Sequence, residues 1–295
     1  MIIQFNWIAI LGSPRNKSSF LTHTILYHWL IKKGYHVVIE DQISKFLNLN
    51  NPNTATVIQI GRTCDLGIVI GGDGNMLCML RKLSCYPIKI IGVNCGNLGF
   101  LTDLHPDTMF YNLSKILSGK YSLEKRFLLE VNVLNHQVYK NNVAVNEIVL
   151  RSSKVSCMVE FEVYIDKKLA FYQKSDGLII STPTGSTGYS LSAGGPILST
   201  ASPVIVIVSM FPHTLSARPL VINNKEIIML KLLNLNDTLQ IMCDGQVILP
   251  IKNENTIFVY KSKYHINFIH PKKYHYLNVL RKKLNWSTGF FQKYI

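Results

Sequence analysis

Leu66–Gly67–Ile68–Val69–Ile70–Gly71–Gly72–Asp73–Gly74–Asn75 decides the fold of this chain. Its first five residues are apolar without alternation, the pattern of a parallel strand buried on both faces. Met76–Leu77–Cys78–Met79–Leu80 follows, apolar and compatible with a helix. The glycines therefore form a strand-to-helix turn at the carboxyl end of a strand, where open α/β sheets bind their ligands.

Glycines at such a turn permit positive φ and leave no Cβ in the way of a ligand, so backbone N–H groups can approach phosphate oxygens. The helix that follows adds its positive end. Asp73 is the one side chain there able to take or orient a proton. A carboxylate beside phosphates repels them unless a cation intervenes or it faces a hydroxyl. The five residues read equally as an ordinary tight turn whose aspartate caps the helix, and at this point both readings stand.

On the N-terminal side, Trp7–Leu11 is a strand, and Gly12–Ser13–Pro14–Arg15 is a turn that could touch phosphate. Leu21, Ile25 and Trp29 recur at helical spacing, Gly34 stops that helix, and His36–Glu40 is a second strand. Asn48–Asn53 is a loop. Beyond the helix Met76–Leu83, Ile88–Val93 is another strand, followed at once by a second turn, Asn94 to Leu101. Strands alternating with helices specify an α/β N-terminal domain with a Rossmann-like parallel sheet, expected over 1–102.

After the helical pattern Pro106–Leu117 the texture changes. Leu128–Leu134 and Ala144–Leu150 are strand-like. Met158–Ile165 alternates, with Val159, Phe161, Val163 and Ile165 on one face and Glu160 and Glu162 on the other. Short strands continue at Leu169–Gln173, Leu178–Ser181, Val204–Val208, Glu226–Leu232, Leu239–Cys243 and Thr256–Tyr260. These specify a β-rich, sandwich-like C-terminal domain, expected over 103–265. A tail, 266–295, with a helix at Tyr274–Leu284, is expected to pack back on one of the two domains.

The 295 residues are 47% hydrophobic and 16% charged, which requires a sizeable core and excludes a disordered chain. No apolar run approaches the length of a membrane span. Cys64, Cys78, Cys85, Cys95, Cys157 and Cys243 form no CxxC pair, and they read as free thiols in a reducing cytoplasm. Net charge is +14. The segment Asn255–Ile295 has no Asp or Glu and carries Lys261, Lys263, Lys272, Lys273, Arg281, Lys282, Lys283 and Lys293. Tyr264, Phe268, Tyr274, Tyr276 and Trp286 are interleaved with them. Nucleic acid could use such a tail; a positive protein equally suits a phosphate-rich small ligand, the reading preferred here.

The second informative stretch runs Lys174–Ser175–Asp176–Gly177 and then Thr182–Pro183–Thr184–Gly185–Ser186–Thr187–Gly188–Tyr189–Ser190–Leu191–Ser192–Ala193–Gly194–Gly195–Pro196. Its density of hydroxyls and glycines favours a sugar or phosphate ligand over a plain Ser/Thr-rich connection. Thr184 stands where a GxSxG elbow needs glycine, which removes a serine hydrolase. There is no GxxxxGK[ST] loop, HRD, DFG, HExxH or GxGxxG string. Asn146–Glu147 is a polar pair between strands, Asp244–Gly245–Gln246 reads as a hairpin turn, and His213 as a structural, hydrogen-bonded histidine.

Together these strings, in this order and with the Phe211–Leu220 segment, resemble the bacterial NAD kinases over nearly the whole chain. The resemblance implies transfer of the ATP γ-phosphoryl group to the 2′-hydroxyl of the adenosine ribose of NAD. It implies Asp73 as the activating carboxylate. It implies NAD contacts at Asp73, Gly74, Asn146, Glu147, Lys174, Asp176, Thr187, Gly188, Tyr189, Ser190, Leu191, Ser192 and Gln246. Gly71, Gly72 and Asn75 would face the phosphates, with Mg²⁺ or another divalent metal carried by the nucleotide and no metal ligand assigned in the chain. It further implies that the tail, 266–295, packs back on the N-terminal domain, and that the protein is a cytoplasmic homo-oligomer, a dimer or tetramer. Two positions depart from the family pattern: Cys157 replaces a basic residue, so no contact is transferred there, and Gly188 replaces an alanine. The alternatives are a diacylglycerol-type lipid kinase, which shares the Gly-Gly-Asp-Gly turn, and a basic nucleic-acid-binding protein.

Overall fold

The computed structural model describes residues 5–14, 17–47, 49–96, 99–135, 138–154, 157–233, 239–251 and 255–286. Arg15, Asn48, Asn97, Leu98 and Lys293, named above, lie outside them. The chain divides into two compact units, 1–125 with 266–295, and 126–265.

The first unit opens with β1 (Trp7–Leu11), α1 (Lys17–Lys32), β2 (His36–Glu40), α2 (Asp41–Ser44), β3 (Thr54–Ala55), α3 (Val57–Thr63), β4 (Leu66–Ile70), α4 (Asp73–Leu83) and β5 (Lys89–Val93). The strands are parallel in the order β3-β2-β1-β4-β5, with Ile68 of β4 paired to Ile10 of β1 and Ile91 of β5. All five residues of β4 are buried, as its continuous apolar run requires. The α5 helix (Met109–Leu117) places Met109, Leu113, Ile116 and Leu117 in the same core as Ile10, Ile68 and Val93.

In α1 two of the three residues that reveal the helix do not anchor it, while Trp29 packs at the edge of the core. Leu21 and Ile25 are exposed, and Ser19, Thr22, His23, Leu26 and Leu30 face inward. The helix does stop at Gly34, at φ +84, where Gly34 N–H and Tyr35 N–H bond back to the Ile31 and Leu30 carbonyls.

β6 (Tyr121–Asn135) begins in the first unit and continues in the second. There it is followed by β7 (Val138–Ala144), β8 (Glu147–Ser152), β9 (Val159–Ile165), β10 (Lys168–Ser175), β11 (Gly177–Ser181), α6 (Tyr189–Ser192), β12 (Val204–Met210), β13 (Leu220–Asn223), β14 (Ile228–Leu232), β15 (Leu239–Cys243) and β16 (Val247–Ile251). β17 (Thr256–Pro271) starts in this unit, and its last residues belong to the first unit, where Asn267 and Phe268 pair in parallel with Lys89 and Ile90. The last helix, α7 (Tyr276–Lys283), also belongs to the first unit.

The second unit is a sandwich. One antiparallel sheet runs β13-β12-β11-β8-β15-β16; the other contains β10, β9, β14, β17, β6 and β7. Between them lie Val131, Phe161, Leu230 and Val259 from one side and Ile148, Leu150, Ile180, Ile207 and Ile241 from the other. The alternation at Val159, Phe161 and Val163 is the inward face of β9. Phe161 is fully buried, so its truncation to alanine would cost about 3–5 kcal/mol. The six-stranded sheet is covered on its other face too: Val149, Ile179, Val206 and Val208 pack with Ala193 and Leu198, which explains why β11 is buried throughout.

Candidate active site

The glycine turn is held by its neighbours. Gly71, at φ +142, lies so close to Asn75 that an added Cβ would sit 2.3 Å from the Asn75 amide nitrogen. That nitrogen donates to the carbonyls of Ser13 (2.8 Å) and Ile70 (3.3 Å). Asn75, expected to face phosphates, thus ties the turn after β4 to the turn after β1.

Asp73 does not cap its helix. Gly72 is the N-cap residue, with no side-chain cap bond, and Asp73 is the first helical residue. Its carboxylate instead accepts hydrogen bonds from the backbone N–H groups of Phe100 (2.6 Å) and Leu101 (3.0 Å). The second sequence turn therefore grips the residue at the centre of the first. Gly99 permits this, since an added Cβ there would lie 1.9 Å from Asp73 Oδ1. Each carboxylate oxygen keeps lone-pair capacity for a further donor.

In the second unit the Asn146–Glu147 turn is built on Asp244. The Asp244 carboxylate accepts from the N–H groups of Val145 (3.0 Å), Asn146 (2.7 Å) and Glu147 (3.2 Å). Asp244 (φ +51) and Gly245 (φ +64) form the turn between β15 and β16, as the sequence predicts. Nothing in the sequence gave the aspartate this second task, because its partners are far away in the chain.

The hydroxyl-rich stretch divides into two kinds of residue. Ser181, Thr182 and Ser186 are buried and spend their hydroxyls on backbone: Thr182 Oγ1 donates to the Val145 carbonyl (2.7 Å) and Ser186 Oγ to that of Pro183 (2.7 Å). These build the scaffold. Ser190 Oγ, Asn146 Oδ1 and Glu147 Oε2 are buried and have no hydrogen-bond partner. Buried orphans of this kind are rare, and each calls for a partner that the chain does not supply. Burial first, and the charge of Asp244 second, push the Glu147 carboxyl up to about 8, against a favourable backbone N–H from Tyr189. At neutral pH Glu147 is therefore mostly protonated and can donate. Gly188 borders the same spot: a methyl there would lie 3.4 Å from Asn146 Nδ2 and Glu147 Oε2.

The other expected residues are more peripheral. Tyr189, Ser192, Asp176 and Gln246 are exposed, Leu191 and Thr187 are half-buried, and Thr187 Oγ1 donates to the Thr184 carbonyl. Lys174 Nζ pairs at 2.6 Å with Glu160, its cross-strand neighbour. His213, expected as a structural, hydrogen-bonded histidine, is exposed, and it is its backbone N–H that donates to the Lys174 carbonyl.

The first unit carries a glycine turn with a carboxylate fixed by two backbone N–H groups, and the second, described by itself, carries orphaned buried polar atoms; each suits a phosphotransferase outside the P-loop class. Comparison with known proteins agrees. Residues 8–121 match the family of the ATP-NAD kinase N-terminal domain and residues 145–271 that of the ATP-NAD kinase C-terminal domain. The chain is 59% identical over 288 residues to the NAD kinase of Buchnera aphidicola from Schizaphis graminum, covering 97% of this chain and 99% of that one. It is 53% identical, with the same coverage, to the NAD kinase of Erwinia tasmaniensis. The fold matches yeast NADH kinase complexed with NADH (TM-score 0.87, 21% identity, 97% of this chain and 89% of that one). It also matches an NAD kinase from Archaeoglobus fulgidus in complex with ATP (0.76, 22%, 95% and 98%). The chain belongs to the ATP-NAD kinase family. It is a phosphotransferase that converts NAD to NADP, which sets aside the lipid-kinase and nucleic-acid-binding alternatives.

Proposed function

We propose that Asp73 is the general base of this reaction, taking the proton of the 2′-hydroxyl on the adenosine ribose of NAD as that oxygen attacks the γ-phosphorus of ATP. The new bond joins O2′ to phosphorus; the bond between phosphorus and the bridging oxygen breaks, and ADP leaves. A ribose hydroxyl is a weak acid, so a fixed base lowers the barrier, and the remainder is positioning and charge neutralisation. The observation that carries this reading is the pair of N–H bonds from Phe100 and Leu101, which hold the Asp73 carboxylate in the turn at the end of β4.

Gly72 would offer its backbone to the phosphates; the Gly71 N–H donates to the Val93 carbonyl (2.9 Å) and its carbonyl accepts from Cys95 N–H (3.4 Å), so Gly71 shapes the turn, which Asn75 also braces. NAD is bound by Gly74, Asn146, Glu147, Lys174, Asp176, Thr187 through Ser192 and Gln246. The orphaned atoms of Asn146, Glu147 and Ser190 favour this assignment. Magnesium would neutralise phosphate charge. On this reading the ion is held by nucleotide oxygens and water. The enzyme works as a cytoplasmic homo-oligomer on this reading; the free cysteines suit a reducing compartment, and no helix among the described residues is long and apolar enough to cross a membrane.

The test is direct. The purified protein is incubated with ATP, Mg²⁺ and NAD, and NADP is assayed with an NADP-specific dehydrogenase. Asp73→Asn is expected to lose turnover by a factor of about 10² or more while still binding NAD. Near-normal turnover in that variant would remove Asp73 from the chemistry.

A further inference from the structure

The C-terminal segment of the first unit holds a histidine in an unusual setting. His270, near the end of β17, is 3% exposed. Its Nδ1 bonds the carboxylate of Asp103, and its Nε2 lies 2.9 Å from Glu124 Oε2. A carboxylate only accepts, so each ionised partner requires an N–H on the ring nitrogen that faces it. The ring is stacked on Tyr274 at 4.0 Å and on Phe268 at 5.8 Å. Phe268 is itself fixed in the sheet by pairing with Ile90. Two of the tail's interleaved aromatics are thus clamps on a buried ring, not a surface for nucleic acid.

Asp103 links this assembly to the chemistry. It follows Leu101 by two residues, and Leu101 and Phe100 carry the N–H groups on which Asp73 rests. The segment is closed on its far side by Leu104, whose N–H donates to the Gly92 carbonyl (3.1 Å) and whose carbonyl accepts from Asn94 N–H (2.7 Å). The tail reaches it a second time, where Lys283 of α7 lies 4.5 Å from the Phe100 ring centroid. Phe100–Leu101 is therefore set between the aspartate it holds and an aspartate that is held.

We propose that His270 is a positioning residue for phosphoryl transfer: by clamping Asp103 it fixes the Phe100–Leu101 peptides that orient Asp73. The inference rests on Asp73 being the base. A shift of about 1 Å in a reacting group costs up to ~10²-fold in rate, so a loosened clamp acts on kcat and leaves substrate affinity alone.

The experiment uses the full-length enzyme and four variants, each assayed well below its own Tm. His270→Phe keeps the stack and removes both donors. Asp103→Ala cuts the link from the other side, and it carries the test if His270→Phe does not fold. Asp103→Asn keeps an acceptor for the Nδ1–H. Asp73→Asn reports on the base. The expected result is a kcat lowered about tenfold or more in His270→Phe and Asp103→Ala, with KM for NAD and ATP within about threefold, and kcat restored in Asp103→Asn. A merely structural clamp would not produce that split or that rescue. The proposal is overturned if Asp73→Asn is inactive while the folded clamp variants keep kcat within twofold, or if Asp103→Asn falls as far as Asp103→Ala. Turnover retained in Asp73→Asn would instead overturn the base assignment itself.

Discussion

Asp244 and Glu147 bring two buried carboxyl groups together from two turns: Asp244 Oδ1 accepts the backbone N–H of Glu147 at 3.2 Å, and its charge helps drive the Glu147 side chain to hold its proton. The arrangement trades stability for a site. The aspartate fixes the backbone of the turn, and the neutral glutamic acid beside it keeps a hydrogen-bonding group that has no partner of its own at Oε2.

The consequence for pH follows from linkage. Glu147 titrates near 4.5 when unfolded and at about 8 when folded. Between those values the folded state binds the extra proton, so this group's contribution is complete below pH 4.5, is lost as pH rises to 8, and changes no further above it. Each pH unit in the window costs up to about 1.4 kcal/mol. Glu147→Gln removes the titration. The variant should therefore gain stability relative to the parent as pH rises from 5 to 8, measured by urea denaturation at both pH values. A difference that stays constant across the window would refute the assignment.

Asp244→Asn separates the turn from the carboxylate. Asn-Gly suits the left-handed pair at 244 and 245 as well as Asp-Gly does, so the hairpin survives. The three N–H groups at 145–147 then face a single amide oxygen. Bonds to a charged acceptor contribute about 1.5–3 kcal/mol each and do not add fully, so a loss of about 2–4 kcal/mol is expected. KM for NAD should rise and the pH dependence described for Glu147 should shrink. A loss under about 0.5 kcal/mol, the level of an ordinary surface change, would show the turn is held by something else.

Gly99→Ala tests how tightly Asp73 is gripped. The new methyl would sit 1.9 Å from Asp73 Oδ1, with no positive φ to confuse the result. The carboxylate must move, and kcat should fall up to ~10²-fold. Gly96→Ala, in the same loop with nothing within 4 Å of its added Cβ, is the control and should leave kcat within twofold. Equal kcat in the two variants would mean Asp73 needs no such fixing.

Most of the fold was legible because it rests on local patterns. β1, β2 and β4 lie where their apolar runs place them, and the alternation of β9 is its burial. The helix α3 was missed although Thr56 and Gln59 form the capping box that announces it. The burial face of α1 was not legible, because a helix carrying apolar residues all round does not say which side meets the sheet. In the site, Asp73 and the Asn146–Glu147 pair stood out from their strings. What Asp73 touches, what Asp244 supports and which hydroxyls stay unpaired depend on contacts across the fold, which no short motif encodes. Of the six Ser and Thr residues at 181, 182, 184, 186, 187 and 190, Ser190 is the one whose buried oxygen has no partner.

Ser190→Ala turns that last point into a measurement. Ser190 is fully buried, its Oγ is an orphan, and an added Cβ on Gly195 would lie only 2.4 Å from it, so little space is left around the hydroxyl. An unsatisfied buried hydroxyl costs about 1–3 kcal/mol, and alanine removes that cost along with one small atom. The free enzyme should therefore be as stable as the parent or slightly more so by thermal denaturation. If NAD supplies the missing partner, the same change deletes one hydrogen bond from the complex, and KM for NAD should rise by about tenfold, the equivalent of roughly 1.4 kcal/mol. A structural serine gives the opposite pattern, a lower Tm with KM unchanged. That result would take Ser190 out of the NAD site and leave the stretch after β11 as scaffold.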